Sequence, residues 1–146
     1  MSEPVTYTLP IRIYYGDTDF SGVVYHAAYL EFFERGRTEA LRAVGVDHKA
    51  LLAMDDPLAY AVRKMNIEWI APAHIDDLLE VRTRYPSTRG ARIFAEQEIW
   101  RGEALLCRAE VEIVSITLDG RPRRPPEHVK QAFTAHAEAV NGEKTD

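Results

Sequence analysis

Residues Tyr14 to Gly45 read YYGDTDFSGVVYHAAYLEFFERGRTEALRAVG, and the way this stretch divides decides the fold. Its second half is a helix. Tyr29, Phe32, Phe33, Gly36, Ala40, Ala43 and Val44 recur at i, i+3, i+4 and i+7 spacing, and Leu30 and Leu41 widen the stripe. Glu31, Arg35, Thr38 and Arg42 line the opposite face, with Glu31 and Arg35 spaced as an i,i+4 ion pair. Gly45 is well placed to end the helix. Gly36 costs about 1 kcal/mol mid-helix relative to Ala. It lies on the apolar face, which predicts the close approach of a neighbouring backbone. The first half is turn chemistry, with two carboxylates, a hydroxyl and two glycines set between an apolar run and the helix.

Working outward, residues 6–15 (TYTLPIRIYY) alternate so that Leu9, Ile11, Ile13 and Tyr15 share one strand face. Pro10 removes a ladder donor and predicts an edge strand or a strand start. A short helix near Lys49–Met54 ends before Pro57. Four strand-like runs follow, LAYAVRKMNIEWI, LLEVRTRYP, ARIFAEQEIW and EALLCRAEVEIVSITL, with a tight turn at Arg101-Gly102. In the last run Leu105, Cys107, Ala109, Val111 and Ile113 face one way. The apolar phase then flips to Val114, Ile116 and Leu118, which predicts a bulge or a second buried surface. Pro125-Pro126 opens a C-terminal helix, and the tail at about 141–146 is expected to be disordered. One helix followed by antiparallel strands is an α+β arrangement. The expectation is a single domain over residues 1–146, a curved sheet wrapped around the long helix.

The whole chain is consistent with that size of core: 146 residues suit one domain. Eighteen Lys and Arg stand against 23 Asp and Glu, a net charge of −5, which argues against nucleic-acid binding. No apolar run approaches the roughly 20 residues that cross a bilayer, and the first residues lack a secretory pattern. The single Cys107 has no CxxC partner. A reduced, cytoplasmic setting is expected.

The loop itself admits several chemistries. Asp17, Asp19, Ser21 and Gly22 fit the first positions of a calcium loop, but the closing bidentate Glu is replaced by Ala28. The five histidines form no HxxxH or HxH pair, and no GxSxG motif supports a serine hydrolase. Asp17 or Ser21 could serve only as a turn former. That leaves unexplained why Val23-Val24-Tyr25 intervenes before the helix. A carboxylate beside the free N–H groups of a helix start suits acyl transfer or hydrolysis, because those groups can hold a developing oxyanion. Glu31 and Glu34 are alternative carboxylates, although both fit the polar-face pattern.

The run YYGDTDFSGVVYHAAYLEFFERGRTEAL resembles the signature of hot-dog-fold acyl-CoA thioesterases, in the branch of 4-hydroxybenzoyl-CoA thioesterase and the Tol–Pal-associated acyl-CoA thioesterase. The likeness continues through NIEWIAPAHIDDLLEV, FAEQEI and RPRRPPE, and so covers most of the chain. It implies a curved antiparallel sheet around a central helix and hydrolysis of an acyl-CoA thioester, with neither metal nor organic cofactor. It implies that Asp19 is the catalytic carboxylate, as nucleophile or general base, and that the backbone N–H of His26 polarises the thioester carbonyl. Tyr25 would shape the acyl pocket, Gly22 would turn the chain, and Asp17 would support. It also implies a homo-oligomer, a dimer or a dimer of dimers, with interfacial active sites, and it allows association with envelope or lipid-metabolism proteins. CoA is a polyanion, so an acidic protein needs local cations to hold it; Arg89 and Arg92, flanking Gly90, rank first. A non-catalytic hot-dog module that binds acyl groups or a protein is the alternative.

Overall fold

In a computed structural model of the chain, residues 6–144 are described. Their elements are β1 (Tyr7–Arg12), α1 (Ala28–Ala43), α2 (His48–Leu52), β2 (Ala59–Trp69), β3 (Leu78–Arg89), β4 (Arg92–Arg101), β5 (Ala104–Ile116) and α3 (Glu127–Lys144). The five strands form one antiparallel sheet in the order β1-β3-β4-β5-β2. The segment through α1 and α2 carries the chain from one edge, β1, to the other, β2. The result is the expected hot-dog arrangement, with α1 lying across the concave face.

The alternation read from the sequence builds this face. Leu79, Val81, Thr83 and Tyr85 of β3 are buried, as are Ile93, Ala95, Gln97 and Ile99 of β4. Against them α1 buries Tyr29, Phe32, Phe33, Gly36, Arg37, Ala40 and Leu41. Each fully buried Phe contributes on the order of 1.5–3 kcal/mol relative to exposure. A polar tether fixes the height of the helix at its middle. The buried Gln97 amide donates to the Phe33 carbonyl (2.8 Å) and to Thr83 Oγ1 (2.9 Å), and its Oε1 accepts from Arg37 Nη1 (3.0 Å). The Tyr85 hydroxyl donates to the Arg37 carbonyl at 2.9 Å. Farther along, α3 packs on β3: Phe133 meets the Tyr85 ring edge-on at 5.2 Å, and the Tyr85 N–H donates to His136 Nε2 at 2.9 Å.

Four expectations change. The alternation in β5 does not flip: Cys107, Ala109, Val111, Ile113 and Ser115 are all buried, while Leu118 is exposed. Ser115 holds the inner face with a hydroxyl, which is why an apolar count misses it. The irregularity in the β4–β5 ladder lies instead between Ile99 and Trp100, opposite Leu106. A Cβ on Gly36 would meet no backbone but the side chains of Val81 (2.6 Å), Thr83 (3.0 Å) and Gln97 (3.2 Å). Tyr15 leaves the face of Leu9, Ile11 and Ile13, because the chain enters a 3-10 turn at Tyr15–Asp17. The C-terminal helix runs on through Lys144, into the stretch expected to be disordered, and residues 145–146 lie outside the described ones.

Candidate active site

The loop between β1 and α1 folds into a small hairpin of its own. Thr18 and Val24 form an isolated bridge, the Asp19 N–H donates to the Val23 carbonyl (2.9 Å), and the Gly22 N–H donates to the Asp19 carbonyl (3.1 Å). Gly22 makes this turn at φ +84°, a left-handed conformation that a side chain resists. The space around it is open enough for a Cβ, with Ile75 at 3.8 Å, so glycine is needed for its backbone.

Asp17 and Asp19 have separate tasks. Asp17 Oδ2 accepts the Tyr14 N–H at 2.9 Å, and its carbonyl accepts the Tyr25 N–H at 3.1 Å, so it ties the two ends of the loop together. Asp19 stands at the exposed tip. Its Oδ1 accepts the Ser21 N–H at 2.8 Å and the Ser21 hydroxyl. The Ser21 hydroxyl above all, then the Ser21 N–H, hold the Asp19 carboxyl below the usual carboxylate range. Among the described residues no donor meets Oδ2.

A second loop, between β2 and β3, carries this hairpin. Val23 bridges His74, the Val24 N–H donates to the Ala73 carbonyl (2.9 Å), and the Ile75 N–H donates to the Gly22 carbonyl (2.9 Å). That loop is pinned in turn. Asp77 Oδ2 accepts the His74 N–H at 2.9 Å and Arg101 Nη1 at 2.9 Å, and Arg101 also reaches the Pro72 carbonyl. The Tyr29 hydroxyl of α1 accepts the Ala73 N–H at 3.1 Å. The sequence gave no sign of this chain of contacts, because its members lie far apart along the chain. The NIEWIAPAHIDD stretch drew notice only through resemblance.

His26 lies just before α1, whose N-cap is Ala27 with no side-chain cap. Among the described residues the His26 N–H meets no acceptor. Trp69 at the end of β2 donates its indole N–H to the His26 carbonyl at 3.3 Å and stands edge-on to the imidazole at 6.1 Å. Trp69 is thus a positioning contact that strand alternation had marked only as apolar. Tyr25 stacks obliquely against His26 with ring centres 4.5 Å apart, and it is more than half exposed.

Asp19, Gly22, Tyr25 and His26 therefore gather at one end of the sheet. Arg89 and Arg92 do not join them within one chain. They flank Gly90 at the far end of β3, roughly 35 Å along the strand from the end that meets the loop. Arg92 lies 3.9 Å from Glu112, which also pairs with Arg63. Glu31 is exposed beside Arg35 at 3.9 Å, and Glu34 accepts a hydrogen bond from Thr38 on the same helix. A larger depression of about 760 Å³ lies on the outer face of the sheet among mutually paired charges, such as Arg108 with Glu68. It lies on the opposite side of the sheet from the helix.

The family model described as the Thioesterase superfamily matches residues 21–108. The acyl-CoA thioester hydrolase YbgC of Escherichia coli O157:H7 is 44% identical over 126 residues, 85% of this chain and 92% of that protein. The acyl-CoA thioesterase YbgC of Haemophilus influenzae is 41% identical over 128 residues, covering 87% of this chain and 93% of that one. A crystal structure of a probable thioesterase from Bartonella henselae superposes with a TM-score of 0.80 at 49% identity, over 83% of this chain and 99% of that chain.

Proposed function

The chain belongs to the thioesterase superfamily and is a thioester hydrolase, and from that premise we propose how it cleaves an acyl-CoA. The thioester carbonyl sits over the start of α1, where the His26 N–H takes up the charge that develops on oxygen. Asp19 then either attacks the carbonyl carbon or draws a proton from the attacking water. Both routes need an ionised carboxylate, and the Ser21 hydrogen bonds favour that form. The observation that carries this reading is the pairing on one short loop of an exposed carboxylate with a free oxygen and an unpaired N–H at a helix start. Free acid and CoA thiol leave.

We infer further that a second copy completes the site. Strand β2 is an unpaired sheet edge, and Trp69, Ile70, Tyr25 and Phe20 beside it are large apolar side chains at the surface, Phe20 fully so. Antiparallel pairing of two β2 strands would bring the Arg63–Lys64 end of one copy toward the Trp69 end of the other. It would supply cations for the CoA phosphates where one chain alone has none near Asp19.

Turnover of a panel of acyl-CoA thioesters tests the chemistry. Asp19→Asn should lower kcat by on the order of 10²–10⁴ with folding intact. Retained activity in Asp19→Asn together with its loss in Glu31→Gln would assign the wrong carboxylate. Single turnover in heavy-oxygen water separates the two routes, since direct attack passes an aspartate oxygen into the product. Sedimentation at micromolar concentration tests assembly, and a fully active monomer there would sink the shared site.

A further inference from the structure

Helix α1 seats on β1 and β3, which leaves its other flank beside β2 loosely covered. The inward-facing β2 residues are Tyr60, Val62, Met65, Ile67 and Trp69, opposite Ser115, Ile113, Val111, Ala109 and Cys107 of β5. The β5 partners are buried, and the β2 residues are not. A trough therefore runs between α1 and β2. One end is the Trp69–His26 contact. The other is a cavity of about 130 Å³, bounded by Arg37, Thr38, His48, Tyr60 and Tyr85 among others.

That cavity is built from groups that lack partners. Arg37 is only 8% exposed, its one side-chain hydrogen bond goes to a neutral amide, and among the described residues no carboxylate forms an ion pair with it. A buried guanidinium without a counter-ion is costly. The hydroxyls of Tyr60 and Ser115, cross-strand neighbours on this face, are buried with no hydrogen-bond partner. Burial pushes the Tyr60 phenol up to about 12, so it remains a donor. Three unspent donors around an empty volume suit a carboxylate. Glu34, the one acid on the cavity wall, is exposed and held by Thr38. His26 and Arg37 are eleven residues apart, roughly 16 Å of helix rise.

We propose that this cavity is a carboxylate-binding subsite at the far end of the acyl trough, so that the enzyme takes acyl chains ending in a second carboxylate. The proposal rests on the thioester reading above for what enters the trough. The test compares dodecanoyl-CoA with the mono-CoA thioester of dodecanedioic acid. Wild-type kcat/KM should favour the dicarboxylic ester by on the order of tenfold or more, the scale of one charged hydrogen bond. The ratio should fall several-fold in both Tyr60→Phe and Ser115→Ala. These variants remove an unsatisfied hydroxyl and keep the packing, whereas Arg37→Met also strips Gln97 of a donor. Equal kcat/KM values in the wild type, or a preference untouched by both variants, would overturn the subsite; the latter result would mean that water alone fills the cavity. Inhibition by free dodecanedioic acid without any preference between the esters would overturn the substrate claim. If neither ester turns over, the thioesterase reading fails separately. The subsite then stands or falls on whether the dicarboxylic ester, and not dodecanoyl-CoA, shifts the Arg37 Nε–H resonance.

Discussion

Gly36→Ala sets two effects of similar size against each other. Alanine is about 1 kcal/mol better than glycine inside a helix, so on propensity alone the change stabilises. The added Cβ, however, would sit 2.6 Å from Val81 Cγ1, about 1 Å inside an ordinary carbon contact, and 3.0 Å from Thr83 Oγ1. Val81 and Thr83 are fully buried in the central strands and have no room to retreat. Overpacking of this kind costs about 1–3 kcal/mol, and lifting α1 also stretches the Gln97 bond to Phe33. The net expectation is a loss of about 1–2 kcal/mol, or a fall in Tm of about 3–6 °C for a chain of this size. Tm is to be read at fixed protein concentration, because assembly shifts it. Val81→Ala removes the methyl that the new Cβ meets. The double variant should therefore be less damaged than the sum of the singles, with a favourable coupling of about 1 kcal/mol. A rise in Tm for Gly36→Ala, with additive singles, would refute the close seating of the helix.

His136 accepts the Tyr85 N–H only while neutral, and burial lowers its pKa from the usual 6.5. The folded state then binds fewer protons than the unfolded one, so this contribution is complete above about pH 6.5 and fades as pH falls through the folded value. His136→Gln, which can still accept but does not titrate, should flatten the acid limb of a Tm-against-pH series; matching slopes would dismiss the contact. Arg101→Gln should loosen the Pro72–Asp77 loop and lower kcat more than it raises KM, and recovery in Arg101→Lys would point to the bond with Asp77. If only the His26 N–H matters, His26→Ala should keep most activity; a lost limb in the pH profile near the histidine range would bring the imidazole into the mechanism.

Local pattern carried the element order, the apolar stripe of α1 and the loop that bears Asp19, because each is encoded within a few residues. What stayed hidden depends on partners distant in the chain. Arg37 looks like one more charge in ERGRTE, yet the same turn that buries Gly36 buries it against Gln97 of β4. Arg89 and Arg92 follow a turn as phosphate-binding arginines could, but only the length of β3 shows how far they stand from Asp19. The role of Arg101 needs the β4–β5 hairpin to be folded beside the β2–β3 loop.

The two rims of the sheet differ in what they offer to another chain. The rim made by β1 is six residues long and interrupted by Pro10, which has no N–H to give. The rim made by β2 is eleven residues long and free of proline. Two molecules that meet along their long rims turn both short, proline-bearing rims outward, and nothing remains onto which a third could zip. The geometry thus favours a closed pair over an open-ended fibre, so a highly expressed protein with an exposed strand keeps a built-in stop against runaway growth.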